Sequence, residues 1–282
     1  MSSLTSGWNG NQAVTVIHIG LSGWSYKEWA GTFYPGDLEQ TEWLSFVAGI
    51  FSTVEINRTF YSLVRPDTFR RWREQVPTEF RFSLKGSRYI THLKRLRDVD
   101  APLANFFASG VLELGPQLES ILWQLPARSN VTSDALVSFL SRLPASTREA
   151  AKIAEHHDER VSAFRPSPLA PSPIRHALEL RDPNGLDEEV LDAARANNVA
   201  IAMSHSSTWP LLDVATADFA YVRLHGPDEL YHSGYSPEQL DEWASRIAEM
   251  SAERDVLVYF DNDGAAHAPH DALALIERLP EG

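Results

Sequence analysis

Seven ionisable side chains stand at or beside the C-terminal ends of short apolar runs: Glu55, Lys85, Glu179, Arg181, Arg223, His225 and Asp261. A spacing of two recurs among them and their polar neighbours, as Glu55 with Asn57, Glu179 with Arg181, and Arg223 with His225. Residues two apart in a strand share a face, so each pair points the same way. Carboxylates in such a group can act as general acid or base, guanidinium and ammonium groups can hold an anion, and histidine titrates near neutrality. The candidate catalytic residues are therefore Glu55, Glu179, His225 and Asp261. The candidate ligand-binding residues are Trp24, Tyr26, Asn57, Lys85, His92, Gln124, Arg181, Arg223 and Asn262. Three acids against three bases sum to zero, so the same set also reads as an interlocked ion network, since buried charges need partners.

The elements that would bring these residues together are eight apolar runs. They are Val16–Ser22, Thr53–Asn57, Phe80–Lys85, Ile121–Gln124, Ala177–Arg181, Val199–Ser204, Phe219–His225 and Val256–Asn262. Helix-like segments separate most of them. Glu39 to Phe51 carries Trp43, Phe46, Val47 and Ile50 on one helical face, and Leu240, Trp243, Ala244 and Ile247 form another such stripe. Ser236-Pro237-Glu238-Gln239 reads as a helix start, with a serine cap, proline at the first position and glutamine three residues on. Eightfold strand–helix alternation predicts an α/β chain folded as a (β/α)₈ TIM barrel, with functional groups at the strands' C-terminal ends. A strand in such a barrel is buried on both faces, so its charged residues must point inward, toward the mouth.

Two features make the predicted barrel irregular. Between strands four and five lies a long insertion with four prolines within residues 166–173, which forbids a helix and favours an extended loop. The connection from Ser204 to Phe219 leaves little room for a helix. Residues 1–14 read as a disordered leader, and residues 15–282 as one barrel domain.

A second chemical signal is the stretch from Lys85 to Arg97, which holds five Lys/Arg and no acid in a chain of net charge −13. After the third strand it would give the rim a local positive field, suited to a phosphate or carboxylate. Lys85 and His92 are its candidates for ligand contact, while Lys94, Arg95 and Arg97 also fit a solvated face. Aromatic residues Trp24, Tyr26, Trp29, Phe33 and Tyr34 crowd the first loop, where rings either stack on a ligand or pack as a lid on the rim.

At 43% hydrophobic residues the chain can bury a substantial core. The absence of cysteine excludes a disulfide framework, a thiol nucleophile and a thiolate metal site. No apolar stretch reaches membrane-span length and no secretory pattern opens the chain, which points to a cytoplasmic protein. Walker-type and dinucleotide-type glycine loops, a His-Glu-x-x-His pair and a complete calcium loop are all missing.

Several stretches together resemble the YecE-like family, a TIM-barrel group of unknown function. They are Ile19–Tyr26, Phe33-Tyr34-Pro35, Val54–Tyr61, Lys85–His92, Gln124-Leu125-Pro126, Leu178–Arg181, Tyr221–Gly226 and Tyr259–Asp263. The resemblance implies the barrel independently of the strand count and supplies no reaction. Two departures stand out. Where the family continues after Glu-x-Arg with His, Pro and Ser, this chain has Asp182-Pro183-Asn184, and where it commonly carries Asp near the end of the sixth strand, this chain has Ser204. His205 lies next along, but alternation should turn its side chain to the opposite face.

The leading expectation is an enzyme-like barrel binding a small anionic or phosphorylated ligand at its mouth, with hydrolase or lyase chemistry from a carboxylate general acid or base and no cofactor. An alternative is a metal-dependent phosphoester hydrolase with a divalent ion on Glu55, Glu179, His225 and Asp261. The nearby cations oppose that. A second alternative is a non-catalytic module for single-stranded nucleic acid, which the net charge disfavours.

Overall fold

The computed structural model describes residues 15–128, 130–162 and 164–279, so the expected leader lies outside the described residues. Nine parallel strands follow in chain order: β1 (Ile17–Leu21), β2 (Thr53–Ile56), β3 (Arg81–Lys85), β4 (Leu118–Gln124), β5 (Arg175–Glu179), β6 (Val199–Ile201), β7 (Met203–His205), β8 (Phe219–Leu224) and β9 (Asp255–Phe260). Each of β1 to β5 bonds to the next, β5 bonds to β6, β7 bonds to β8, β8 to β9, and β9 returns to β1. Strands β6 and β7 are two halves of the single apolar run Val199–Ser204, extended by His205 and interrupted at Ala202. The first half pairs to one side and the second to the other, while the Ala202 N–H bonds the Leu178 carbonyl at 2.9 Å. The eight expected strands thus form a nearly closed TIM-like barrel in which one strand shares its bonds between both neighbours.

Side chains fill the ring in layers, as in a packed barrel. Its apolar centre is Leu122, Ala177, Ala200, Ala202, Phe219, Tyr221, Leu257 and Tyr259. Small residues of β5 to β7 face large ones of β8 and β9. Below the mouth the Tyr259 hydroxyl meets Ser83 Oγ at 2.6 Å and Thr53 Oγ1 at 2.9 Å, and Ser83 meets Ser120 at 2.6 Å. Gly20 lets β1 and β2 approach closely, because a Cβ there would lie 2.0 Å from the Thr53 carbonyl oxygen.

Outside the ring, helices cover the strands through two apolar layers. Ser236 caps the helix Pro237–Ser251 with the reciprocal Gln239 bond that its sequence predicts. The expected helix from Glu39 to Phe51 is shorter, a turn at Gln40–Glu42 leading into Trp43–Ala48. The proline-rich insertion is extended; its Ser172 and the helix-starting Thr147 exchange two bonds of 2.9 Å. No helix separates β7 from β8, and the chain runs there as irregular loop.

Candidate functional site

At the C-terminal end of the barrel the strand-end residues converge on Arg223, which has no solvent exposure. Three carboxylates from three other strands surround its guanidinium. Nε donates to Glu55 Oε2 at 3.0 Å and Nη2 to Glu55 Oε1 at 2.7 Å, a bidentate pair. Nη2 also donates to Asp261 Oδ2 at 2.9 Å, and Nη1 to Glu179 Oε2 at 2.7 Å. Glu55 is completed by donors from Ser22 Oγ at 2.5 Å and Tyr221 at 2.7 Å. The other oxygen of Glu179 takes Arg181 Nε at 2.7 Å. Asp261 Oδ1 alone among these carboxylate oxygens lacks a donor among the described residues, and the side chain keeps 9% exposure.

The electrostatics follow from this packing. Burial pushes Glu179 upward, but Arg223 and then Arg181 outweigh it and hold the carboxyl below its ordinary range. Burial likewise opposes ionisation of Asp261, and the Arg223 charge overcomes it, again leaving the group lowered. Both stay ionised at neutral pH.

His225 is fully buried, with Nε2 3.3 Å from Arg223 Nη1. A guanidinium can only donate, so Nε2 must be the bare nitrogen and the ring proton sits on Nδ1. Nδ1 lies 2.8 Å from Asp261 Oδ2 without a formed hydrogen bond. Burial first and Arg223 second lower the His225 pKa, consistent with a neutral ring.

Above this platform the mouth is cationic. Lys85 is half-buried with its Nζ 4.7 Å over the Phe60 ring, and no carboxylate or carbonyl among the described residues lies within bonding distance of it. Arg181 stacks 4.1 Å over Trp209 and reaches the Tyr231 hydroxyl at 3.3 Å through Nη2, which leaves Nη1 without an acceptor among the described residues. His92 is lowered to about 4 by burial, then by the charges of Lys85, Arg88 and Arg181, and its ring lies 5.1 Å from that of Phe60. Trp209 and Tyr231 roof the site, their rings 5.3 and 5.5 Å from His225. Ser204 Oγ accepts the Trp209 indole N–H at 3.1 Å. The family-like aspartate position thus holds a hydroxyl that orients the roof, while His205 points outward to Tyr235 and Trp243 as alternation requires.

Several expected roles change. Arg223 was expected to hold an external anion, yet every donor nitrogen already serves a buried protein acceptor, so its role is to bind the platform together. Asn262 was expected at the mouth. It faces outward, where Nδ2 donates to Asp271 at 2.8 Å and to the Ser233 carbonyl at 3.0 Å. Tyr26 stacks on Trp29 at 4.4 Å and bonds the Ser22 carbonyl and Asp263 through its hydroxyl, while it lines a pocket with Trp24 and Asn57. Glu55 and Glu179, expected as general acid or base, have both oxygens bonded inside the network. Gln124 is buried with Nε2 bonded 2.6 Å from the Leu125 carbonyl. Trp24 and Asn57 line a pocket of about 310 Å³ with Trp72, and Asn57 Oδ1 there is a buried acceptor without a donor. The metal alternative needs Glu55, Glu179, His225 and Asp261 around open space, but Arg223 fills their centre. Among the described residues no three His, Asp or Glu side chains are arranged to hold an ion.

Sequence reasoning passed over Ser22, Tyr221 and Trp209. The first two carried a usable signal, lying two residues from Gly20 and Arg223 on inward-facing registers. Trp209 sits in an irregular loop with no periodicity to reveal it.

Residues 18–282 match the family described as "Protein of unknown function DUF72". The chain belongs to that family. It is 28% identical over 269 residues to UPF0759 protein YecE of Escherichia coli K12, covering 94% of this chain and 93% of that protein. It is 20% identical over 285 residues to UPF0759 protein YunF of Bacillus subtilis, covering 94% of this chain and 95% of that protein. Among solved structures, a DUF72 family protein of Thermotoga maritima superposes with a TM-score of 0.67 at 23% identity, over 93% of this chain and 98% of that one. One from Enterococcus faecalis gives 0.70 at 18% identity, over 95% and 96%. These likenesses carry the barrel to the whole DUF72 chain. Among the described residues no helix is long and apolar enough to cross a membrane.

Proposed function

We propose that this DUF72 chain is an enzyme-like barrel that binds a small anionic or phosphorylated ligand at the C-terminal mouth, between Lys85 and Arg181. The observation that carries this reading is that both cations reach the mouth with donors unused by the protein, while the third, Arg223, is sealed beneath them. An ammonium and a stacked, pre-oriented guanidinium complement a carboxylate or phosphate. Beneath them the three carboxylates and Arg223 form a rigid floor, which fixes Arg181 through Glu179. Nucleic-acid binding gains no support: Trp29 and Tyr34 of the first loop are core residues, and Lys94 lies 3.9 Å from Asp98.

The test is thermal stabilisation by inorganic phosphate, phosphorylated metabolites and small carboxylates, compared between wild type and Arg181→Ala. Removing one charged hydrogen-bonding partner should weaken binding roughly tenfold or more. Equal stabilisation of both proteins, or none of the wild type, would refute the assignment.

A further inference from the structure

We propose that Lys85 is a covalent nucleophile, and that the ligand is an anionic carbonyl compound, such as a 2-oxo acid or a phosphorylated aldehyde, whose carbonyl carbon Lys85 captures as an imine while Arg181 holds the anionic group. This rests on the anion-binding reading above and goes beyond it by giving the two cations different tasks.

The chain has only four lysines. Lys27 and Lys152 are exposed, and Lys94 is 3.9 Å from Asp98. Among the described residues Lys85 alone is drawn into the protein without an ion-pair partner. It ends β3 on the same face as Ser83, whose hydroxyl is fixed inside the barrel, so its stem rises from the barrel interior to the mouth. The amine rests on the face of Phe60. A salt-bridged lysine is a held charge, whereas an unpaired, desolvated one beside a second cation is a usable amine. Burial first and then the Arg223 charge lower its proton affinity, against the opposing pull of Asp261, Glu179 and Glu55.

The chemistry closes without a further reactant. The ammonium sheds one proton to solvent at the mouth, and the freed lone pair of Nζ attacks the carbonyl carbon. A C–N bond forms as the C=O π bond breaks, and the alkoxide oxygen takes up a proton from solvent. The nitrogen, which then carries two protons, passes one by way of water to that hydroxyl, which leaves as water as the nitrogen lone pair forms the C=N bond of the iminium. The sum is one ammonium and one carbonyl consumed, one iminium formed and one water released, with no net change in charge. Carboxylate or phosphate beside the carbonyl places negative charge for Arg181 Nη1 to hold.

The experiment incubates the full-length protein with pyruvate or glyceraldehyde 3-phosphate and a borohydride reductant, then maps the lysine modified by peptide mass spectrometry. Neutral acetone serves as the control carbonyl. Wild type should carry one reduced adduct on Lys85, Lys85→Arg none at this position, and Arg181→Ala roughly tenfold less with pyruvate. The melting temperature of Lys85→Arg is measured alongside to show that the variant is folded. Anion stabilisation of the wild type with no adduct, or with label spread over all four lysines, overturns the nucleophile and spares the anion site. Labelling by acetone as efficient as by pyruvate overturns the anionic substrate class. Neither stabilisation nor adduct overturns both readings.

Discussion

Replacing Arg223 with methionine tests the platform directly, because it keeps most of the apolar stem and deletes one charge from the centre of three carboxylates. Removing one partner of a buried ion pair costs about 3–5 kcal/mol, since the other charge stays buried and uncompensated. Here one deletion strips both oxygens of Glu55 of a donor, one of Glu179, and the one donor that Asp261 has among the described residues. The loss should therefore reach the top of that range, about 5 kcal/mol or more, with Arg181 and Lys85 left as partial compensation. A whole domain is stable by only about 5–15 kcal/mol, so the variant should be marginal. For a domain of this size the melting temperature should fall by roughly 10–20 °C. The pH dependence supplies the sharper readout. In wild type, Glu179 and Asp261 are held below the ordinary carboxylate range. Their stabilising contribution is therefore complete above that range and lost as pH falls through their depressed values. In the variant the same burial acts without Arg223, their affinities for protons rise, and the penalty is largest at neutral pH. The gap between wild type and variant should narrow as pH falls toward about 4, where the carboxyls become neutral. Urea melts of both proteins between neutral and mildly acidic pH would measure it. A variant with wild-type stability at neutral pH, or a gap that is independent of pH, would refute the reasoning.

Two more outcomes follow from the geometry. The Tyr26 hydroxyl lies 2.6 Å from the Ser22 carbonyl and 2.7 Å from Asp263 Oδ2, and it has one proton for two acceptors. Asp263 must then carry a proton of its own, in line with burial, and then the Asp261 charge, raising its pKa well above the usual value. That neutral form is favourable at low pH and its contribution is lost as pH rises through the raised value. Asp263→Asn, which donates at every pH, should therefore hold its stability better than wild type on the alkaline side, and a wild-type alkaline profile would contradict this. Gly20→Ala should cost about 1–3 kcal/mol or more, because its Cβ would strike the Thr53 backbone where β1 meets β2. A denaturation midpoint within error of wild type would count against the close approach.

The sequence by itself carried the barrel and the place of its site. Period-two pairs such as Glu55 with Asn57 and Arg223 with His225 follow from strand geometry, which is local, and a charge in a strand buried on both faces has only the barrel interior to enter. The capping box at Ser236 and the proline-rich extension are local in the same sense. What those charges do to one another was decided across the ring. Glu55 and Arg223 are 168 residues apart, and nothing in either segment says that every nitrogen of Arg223 is bonded to a carboxylate while Lys85 bonds to none. The split of the sixth run between β6 and β7 has the same origin, since it reflects the needs of two neighbouring strands. Asn262 shows the limit most simply: one position beyond Asp261, it belongs to the opposite face and to a different network. A residue's type and strand register follow from its near neighbours. Its charge state and free valences depend on partners that only chain closure brings within bonding distance.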